Sequence, residues 1–253
     1  MKSTILFVLN LLAFFWQIIP SRIRLMIFTS LFLVESRGKK PSYGLKHLFN
    51  IQDQLSWVIN ERAMAYGSGV HPKHKLTSYH DFFIDNICNG QKVLDVGCGY
   101  GAVARSIALA LKDSRVLGID LNSKNIAKAT SVINPKNLAF IEADASMFKF
   151  NEIFDVVVLS NVLEHIVNRV DFIKSLKISS GAKKFLIRVP LFERDWEMPM
   201  RRELGVNYFS DNDHKIEHSF KEFKSEVEMA DFKITNYQTL WGEIWAVCDC
   251  RNF

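Results

Sequence analysis

Short runs of apolar and β-branched residues alternate with helix-like patterns over most of this chain, and that alternation limits the possible folds more than any other feature. The predicted elements are KVLDV, AVARSIALAL, RVLGID, SKNIAKATSVI, LAFIEA, FDVVVLS, VLEHIVNRVDFIKSL and KFLIRVP. A helix near Phe220 to Ala230 and two strands, FKITNYQTL and EIWAVCD, follow. Alternation of this kind predicts an α/β fold in which seven mostly parallel strands have helices on both faces.

Three parts of the chain differ in composition. Residues 1–40 are apolar and basic, residues 41–90 predict a helical lead-in that ends with LTSYHDFFIDNI, and residues 91–253 contain the predicted sheet. Within the last part, residues 191–218 are rich in charged and aromatic side chains and lack a regular pattern. We expect this insert to cover the substrate, because long irregular connections often carry function.

The positive charge of the chain is concentrated at its N-terminal end. The 253 residues carry a formal net charge of +5, and residues 1–40 hold six basic residues against one acidic residue, which accounts for all of it. The remainder is neutral overall, which argues against nucleic acid as a partner of the folded body. Positive charge beside the most apolar segment instead indicates that residues 1–40 bind a membrane surface containing anionic lipid.

The apolar segment is interrupted at Pro20. A helix over residues 5–19 would be about 22 Å long, short of the roughly 30 Å hydrocarbon core. A helix that continued to Val34 would place Arg22 and Arg24 near its middle, whereas two helices around the break let both arginines reach the headgroups. We therefore predict monotopic attachment to the cytoplasmic face of a membrane. A true span and a buried helix pair are the alternatives.

A glycine-rich turn follows the first predicted strand, in the sequence VLDVGCGYG. Gly97 and Gly99 let the backbone approach a ligand at the N-terminus of the next helix. The spacing also fits a relaxed dinucleotide fingerprint, and Asp120 at the end of the second strand could accept ribose hydrogen bonds from either cofactor. Asp95 favours a cationic cofactor, because its carboxylate would repel a pyrophosphate and attract an amino group.

Four motifs occur here in the order found in class I methyltransferases, which the chain resembles from about Gln91 onward: VLDVGCGYG, GIDL, EADA and DVVVLSNVLEHI. The resemblance implies a Rossmann-like α/β fold and S-adenosyl-L-methionine as the cofactor. It also implies that the loop from Gly97 to Gly101, which includes Cys98, wraps the methionine moiety. Cys98 fits this loop as a small residue rather than as a nucleophile.

The same resemblance assigns the rest of the cofactor site. It implies that Asp120 holds the ribose, that Leu121 packs on the adenine, and that Asp144 and Ala145 meet the adenine edge. Asn161 would lie where the fourth strand opens into the site. Asp120 and Asp144 have an alternative role as caps of the helices that follow them.

Glu164 and His165 are the predicted catalytic residues, and the sequence places them at the start of a helix. In a similar family that methylates quinone precursors, a related E-x-x-E-H pattern binds a divalent metal. Asn161 replaces the first glutamate here, so one charged ligand is missing and we assign no metal ligand. A metal site, a general base at His165 and a purely structural pair all remain open.

The chain also resembles uncharacterised methyltransferases of bacterial surface-glycan gene clusters through SGVHPKH, RVPLFERDW and WGEIWA. This implies a role in polysaccharide biosynthesis, with a hydroxyl of a lipid-linked or membrane-proximal saccharide as the methyl acceptor. Two other functions remain open: O-methylation of a quinone precursor, and a cofactor-binding module without turnover in a membrane assembly.

Side chains before the sheet and in the insert could contribute to an acceptor pocket. The insert offers arginines and aromatic rings that would suit an anionic or sugar-bearing substrate. Histidines lie on both sides of the predicted site, although such residues are also common on surfaces. The candidates are Arg194, Arg201, Arg202, Trp196, Tyr208, His71, His74, His80, His214 and His218.

Cysteine usage agrees with a cytosolic domain. Cys88, Cys98, Cys248 and Cys250 have no paired metal-ligand spacing, so we expect four reduced thiols.

Overall fold

A computed structural model describes residues 12–38 and 40–251. Residues 1–11, with Lys2 and the first part of the apolar run, and Lys39 of the basic stretch lie outside the described residues. The helices are α1 (Leu12–Ile18), α2 (Ser21–Ser36), α3 (Pro41–Tyr66), α4 (Lys73–Leu76), α5 (Tyr79–Asp85), α6 (Ala102–Ala110), α7 (Ser123–Thr130), α8 (Arg169–Ser180), α9 (Glu197–Leu204) and α10 (Phe220–Met229). The strands are β1 (Lys92–Val96), β2 (Arg115–Asp120), β3 (Leu138–Glu142), β4 (Val156–Ser160), β5 (Lys184–Pro190), β6 (Phe232–Leu240) and β7 (Glu243–Cys250).

The strands form one seven-stranded sheet in the order β3-β2-β1-β4-β5-β7-β6. Strands β1 to β5 pair in parallel, and β7 is antiparallel to both β5 and β6. This confirms the predicted α/β fold with a mostly parallel sheet. The strand order reverses between β1 and β4, and ligands of open α/β sheets bind outside the carboxyl ends of the strands at such a point.

Helices cover both faces of the sheet because alternate residues of the buried strands point to opposite sides. On β4, Val157 and Leu159 belong to a core cluster that includes residues of α8 and α10. Their neighbours Val156 and Val158 belong to a second cluster that includes residues of α5 and α6. The two-sided burial explains why these strands are continuous apolar runs in the sequence.

The chain divides into two compact units. One contains the described residues up to Ala63 together with Arg201–Val206, and the other contains Met64–Met200 and the described residues from Asn207 onward. The division falls within α3, between the boundaries that the sequence predicts at residues 40 and 90. All seven strands belong to the second unit.

In the first unit, α1 and α2 are separated at Pro20, as the sequence predicts. No residue of α2 is buried, and apolar side chains such as Leu25, Met26 and Val34 are exposed. Among the described helices, none alone has the length and apolar composition of a membrane span. Helices α1 and α2 meet that test only as a pair, with a bend of 109° between them.

Two local predictions differ from the structure. The stretch VLEHIVNRVDFIKSL was predicted as one helix, but Leu163–His165 form a separate 3-10 turn and α8 begins at Arg169. The chain is extended at Ile166 between these elements, which ends the first turn. The insert 191–218 is not wholly irregular, because α9 lies within it.

Candidate cofactor and acceptor site

The glycine loop joins β1 to α6 at the reversal of strand order. Gly97, Gly99 and Gly101 all have positive φ angles, of 66°, 55° and 76°. A Cβ atom would lie 2.8 Å from Val162 Cγ2 at Gly97 and 2.3 Å from a ring carbon of Phe140 at Gly101, but at Gly99 no described atom lies within 4 Å. The lack of a side chain at Gly97 and Gly101 therefore lets Val162 and Phe140 pack against the loop, whereas Gly99 borders open space.

Asp95 lies directly before this loop and is almost completely buried, with 1% of its surface exposed. Its Oδ2 accepts a hydrogen bond of 3.1 Å from the backbone N–H of Ala104 in α6. Burial raises the pKa of Asp95 to about 7, and the nearby charge of Asp120 contributes to the increase. A carboxylate in such surroundings favours a positively charged ligand group, which would stabilise its ionised form.

Asp120 ends β2 and organises the loop from the opposite side. Its Oδ2 accepts a hydrogen bond of 2.8 Å from the Gly99 N–H, and its Oδ1 accepts bonds from the Asn122 N–H and the Asn125 side chain. Asn122, not Asp120, caps α7. The adjacent Leu121 is 71% exposed, so an apolar surface is available next to the carboxylate.

Asp144 and Ala145 follow β3, at the same edge of the sheet. Asp144 is exposed, and its Oδ1 accepts hydrogen bonds from the backbone N–H and the hydroxyl of Ser146. These bonds form a local turn, and no helix lies in the described stretch between β3 and β4, so the alternative role of Asp144 as a helix cap is wrong. Ala145 is half-buried beside it.

Cys98 is buried in the loop, and its backbone N–H donates to the Ile119 carbonyl at 2.9 Å. Burial raises the pKa of its thiol well above the ordinary range. A protonated, buried thiol agrees with the prediction that Cys98 is a small packing residue.

Asn161 follows β4 and adopts a left-handed conformation, with φ of 56°. Its N–H donates to the Arg188 carbonyl of β5 at 2.8 Å, which directs the chain out of the sheet. The side-chain Oδ1 is buried and has no hydrogen-bond partner within the described residues. Asn161 also lines a cleft, so this oxygen is a candidate ligand contact.

Glu164 and His165 lie on the 3-10 turn that follows Asn161. Glu164 is completely buried, and neither carboxylate oxygen has a hydrogen-bond partner among residues 12–38 and 40–251. Burial raises its pKa to about 7. His165 is half-buried, with its Nδ1 3.0 Å from an oxygen of Asp213.

His214, from the insert, packs edge-on against His165 with ring centroids 4.7 Å apart. The backbone N–H of the next residue, Lys215, donates to the Glu164 carbonyl at 2.7 Å and so fastens the insert to the 3-10 turn. The His214 Nδ1 lies 2.9 Å from Glu217 Oε1. Burial opposes a charge on His214, but the bond to Glu217 and the field of Glu164 raise its pKa overall.

A cleft of about 250 Å³ opens beside these residues at the carboxyl end of β4 and β5. Cationic, anionic and amide side chains line it together with one indole ring. The lining residues are Lys73, Asn161, Pro190, Arg194, Ser210, Asp211, His214, Trp241, Gly242 and Glu243. Trp241 lies in the β6–β7 turn, and Glu243 is the first residue of β7. The sequence patterns did not assign either residue to the site.

Buried ionic contacts hold the wall of the cleft in place. Arg188 of β5 makes a two-pronged ion pair with Glu243, and its guanidinium also lies 3.8 Å from the ring centroid of Tyr79. Trp245 donates its indole N–H to the same carboxylate at 2.9 Å. Glu243 is thereby fixed at the cleft.

The structure brings only some of the other candidate pocket residues to this cleft. Arg194 lines it while pairing with Glu217. Arg201 is instead buried in the other compact unit against Asp53, so the prediction that it meets a substrate is wrong. His218 is also buried and bonded to Glu226, which gives it a structural role.

His74 and His80 form a hydrogen-bonded group before the sheet. The hydroxyl of Tyr79 lies 2.6 Å from His74 Nδ1, and His80 Nδ1 lies 2.7 Å from the Ser106 hydroxyl. Burial lowers the pKa of His80 to about 4, so this ring is neutral near pH 7. His71, Arg202, Trp196 and Tyr208 are not among the residues that line the cleft.

Comparison with known proteins agrees with this geometry. Residues 93–178, from β1 into α8, match the family described as "Methyltransferase domain". Residues 93–178 therefore form a methyltransferase domain. Its fold is similar to that of the magnesium protoporphyrin IX methyltransferase of Synechocystis PCC 6803, solved with bound S-adenosylhomocysteine, with a TM-score of 0.55 and 16% identity over 71% of this chain and 83% of that one.

Curated relatives match the methyltransferase domain at higher identity. The ubiquinone biosynthesis O-methyltransferase of Rickettsia canadensis is 33% identical over 141 residues, which cover 55% of this chain and 50% of that protein. A probable (S)-tetrahydroprotoberberine N-methyltransferase of Papaver bracteatum is 31% identical over 130 residues, or 44% of this chain and 36% of its own length. The chain therefore spans about half or less of these two relatives, which methylate different kinds of atom.

Proposed function

We propose that this protein transfers a methyl group from S-adenosylmethionine to a hydroxyl of a lipid-linked or membrane-proximal saccharide. The observation that carries the proposal is a polar cleft with one exposed indole, which opens at the sheet edge that also carries the glycine loop. The cofactor assignment and the acceptor assignment have separate support.

The described residues fit S-adenosylmethionine. The open space at Gly99 permits close approach of the methionine moiety, and the buried carboxylate of Asp95 suits a cationic group. Asp120 would hold the ribose hydroxyls, and the exposed Leu121 would pack on the adenine beside Asp144 and Ala145. When bound, the cofactor supplies an electrophilic methyl group on a sulfonium sulfur, which becomes the thioether of S-adenosylhomocysteine.

The cleft supports a saccharide as the acceptor. Sugars present both hydroxyl groups and apolar ring faces, so they bind to polar side chains next to an aromatic ring. Trp241 is 67% exposed, and Asn161, Asp211 and Glu243 lie in the same cleft. The chemical task of these residues is to hold one hydroxyl oxygen in line with the sulfonium methyl.

A hydroxyl acceptor must lose its proton as the new C–O bond forms. Glu164 and His165, the predicted catalytic residues, each have a side-chain donor atom within 4.8 Å of one on His214, which lines the cleft. This group of three is the best-placed candidate to receive or displace that proton.

Helices α1 and α2 support a membrane-proximal acceptor. They expose apolar side chains, and Arg22, Arg24 and Arg37 are interspersed with or flank these residues. We propose that this segment lies on the cytoplasmic face of a membrane that contains anionic lipid, as a monotopic attachment.

O-methylation of a quinone precursor is the second candidate, and the similarity to the Rickettsia O-methyltransferase favours it. A quinone ring carries few hydrogen-bonding groups and would leave most of the charged cleft unmatched. A module without turnover is the third candidate, but such a module would not need a polar acceptor cleft beside the cofactor loop.

The test is methyl transfer from S-adenosylmethionine with a labelled methyl group. The full-length protein is incubated with a lipid-linked saccharide fraction and, separately, with quinone precursors. We expect label in the saccharide fraction, recovered as an O-methyl sugar after hydrolysis. Label in the quinone fraction would support the second candidate, and binding of the cofactor without transfer to either fraction would support the third.

Asp120→Ala tests the cofactor site in this assay. We expect it to weaken S-adenosylmethionine binding by about 1–3 kcal/mol through the loss of a charged hydrogen bond. Asp113→Ala removes an exposed carboxylate that accepts a hydrogen bond from the Asn89 side chain. This control variant should leave S-adenosylmethionine binding unchanged. Unaltered affinity of Asp120→Ala would contradict the ribose assignment.

A further inference from the structure

Glu164 presents an unusual electrostatic problem. Its side chain is completely buried, both carboxylate oxygens lack a hydrogen-bond partner among the described residues, and no salt bridge to it occurs there. The guanidinium of nearby Arg188 is already paired with Glu243. A buried carboxylate without a partner costs several kcal/mol, which indicates that a positively charged ligand belongs beside it.

Two histidines complete a set of ligands around this carboxylate. One donor atom from each of Glu164, His165 and His214 lies within 4.8 Å of the other two, a spacing at which one ion can contact all three. His214 comes from the insert, 49 residues beyond His165 in the sequence. The site is therefore invisible to a motif that considers only the stretch after β4.

The surroundings of His214 fix the orientation of its ring. Glu217 is held ionised by its bonds to Ser210 and Arg194, and it accepts from His214 Nδ1 at 2.9 Å. Donation from Nδ1 leaves Nε2 as the nitrogen with a free lone pair. A histidine that donates one ring N–H to a carboxylate while the other nitrogen faces the ion is the usual arrangement at protein metal sites.

His165 lies next to a carboxylate but makes no hydrogen bond to it through Nδ1. Its Nδ1 lies 3.0 Å from Asp213 Oδ2, and its side chain is 35% exposed, so an ion can enter from this side. Asp211 and Asp213 lie close to His214 as well, and they add negative charge at the entrance.

We propose that Glu164, His165 and His214 bind one divalent transition-metal ion beside the acceptor cleft. Two imidazole nitrogens and one carboxylate are a donor set that suits zinc and, with more oxygen ligands, manganese. These three residues leave coordination positions for water or for an acceptor hydroxyl.

The catalytic consequence rests on the proposed function. An acceptor hydroxyl bound to the ion would have a lowered pKa, so its proton could pass to solvent as the methyl bonds to oxygen. Metal binding itself does not depend on the identity of the acceptor.

The experiment measures ion binding by the full-length protein, first stripped with a chelator. Manganese binding is followed by loss of the free-ion signal in electron paramagnetic resonance, and zinc binding by calorimetry. We expect one ion per chain with a dissociation constant below about 100 μM for at least one metal. Glu164→Gln and His214→Gln should each weaken it at least tenfold.

Controls separate the cluster from other histidines and from unfolding. His47→Gln alters a histidine that pairs with Glu35 on another helix, and it should bind the ion as the unchanged protein does. Glu164→Gln is nearly isosteric, so its unfolding temperature should stay within a few degrees of that of the unchanged protein.

The proposal fails if neither ion binds, or if Glu164→Gln and His214→Gln bind as tightly as the His47→Gln control. Tight metal binding without methyl transfer to a saccharide would support the metal site and contradict only the proposed acceptor.

Discussion

At the scale of single residues, Asp95 links the stability of the protein to pH. Burial raises its pKa from 3.8 to about 7 in the folded protein without cofactor. Between these values the folded state retains a proton that the unfolded chain has released. The Asp95 contribution therefore makes the free energy of unfolding decrease as the pH rises from about 4 to about 7.

Asp95→Asn should remove this pH dependence. Because asparagine cannot ionise but can still accept from the Ala104 N–H, the variant should be the more stable protein at pH 8, by at most about 4 kcal/mol, and similar to the unchanged protein near pH 4. Urea unfolding at both pH values measures the difference. Equal free energies of unfolding of the variant and the unchanged protein at pH 8 would show that burial does not destabilise the ionised form of Asp95. Asp113→Asn, at an exposed carboxylate, is the control.

Trp241 tests the assignment of the cleft to a saccharide. Trp241→Ala should raise the KM for the acceptor by about 5- to 30-fold, since loss of an aromatic stacking partner costs on the order of 1–2 kcal/mol, and leave S-adenosylmethionine affinity unchanged. Trp196→Ala is a matched control, because Trp196 is also 67% exposed but does not line the cleft. If Trp196→Ala alone raised the KM, the acceptor would bind to the insert instead.

At the scale of elements, a substitution in the glycine loop can distinguish an effect on stability from an effect on cofactor binding. Gly99→Ala and Gly205→Ala both place a Cβ on a backbone with positive φ, of 55° and 67°, and both have open space there. Each should cost about 1–2 kcal/mol of stability. Only Gly99→Ala should also weaken S-adenosylmethionine binding, as measured by calorimetry. Equal cofactor affinity for the two variants would contradict close approach at Gly99.

The same scale shows what the sequence can and cannot predict. The bounds of β1, β2 and β5 agree with KVLDV, RVLGID and KFLIRVP, because buried parallel strands are continuous apolar runs between polar residues. The 3-10 turn was missed because LEHIV has apolar spacing compatible with a helix. Its separation from α8 depends on the conformation of Ile166 and on tertiary contacts, which periodicity does not report.

The acceptor side of the site depends on contacts between distant parts of the chain. His214 reaches Glu164 through the bond from the Lys215 N–H, and Glu243 reaches the cleft through pairing of β7 with β5. The proposed cofactor residues are easier to identify, since Asp95, Gly99 and Asp120 lie at or just after the ends of β1 and β2. Local sequence patterns therefore predict the cofactor loop better than the acceptor cleft.

At the scale of the whole molecule, the exposed apolar surface of α1 and α2 predicts binding to membranes. The full chain should sediment with vesicles that contain anionic lipid, and less with purely zwitterionic vesicles. A Leu25→Glu/Met26→Glu variant should bind at least about tenfold more weakly, since each carboxylate costs on the order of 1–3 kcal/mol in an apolar layer. Ile178→Glu, at an 82% exposed position on α8, should bind normally. Equal sedimentation of all three proteins would contradict attachment through this segment.

The central claim is that the loop from Gly97 to Gly101 and the carboxylates of Asp95 and Asp120 form a site for S-adenosylmethionine. Calorimetric titration of the purified protein with S-adenosylmethionine, S-adenosylhomocysteine and oxidised nicotinamide dinucleotide tests it most directly. The account predicts micromolar binding of the first two ligands and no binding of the third. Binding of the dinucleotide, or no binding of S-adenosylmethionine, would contradict it.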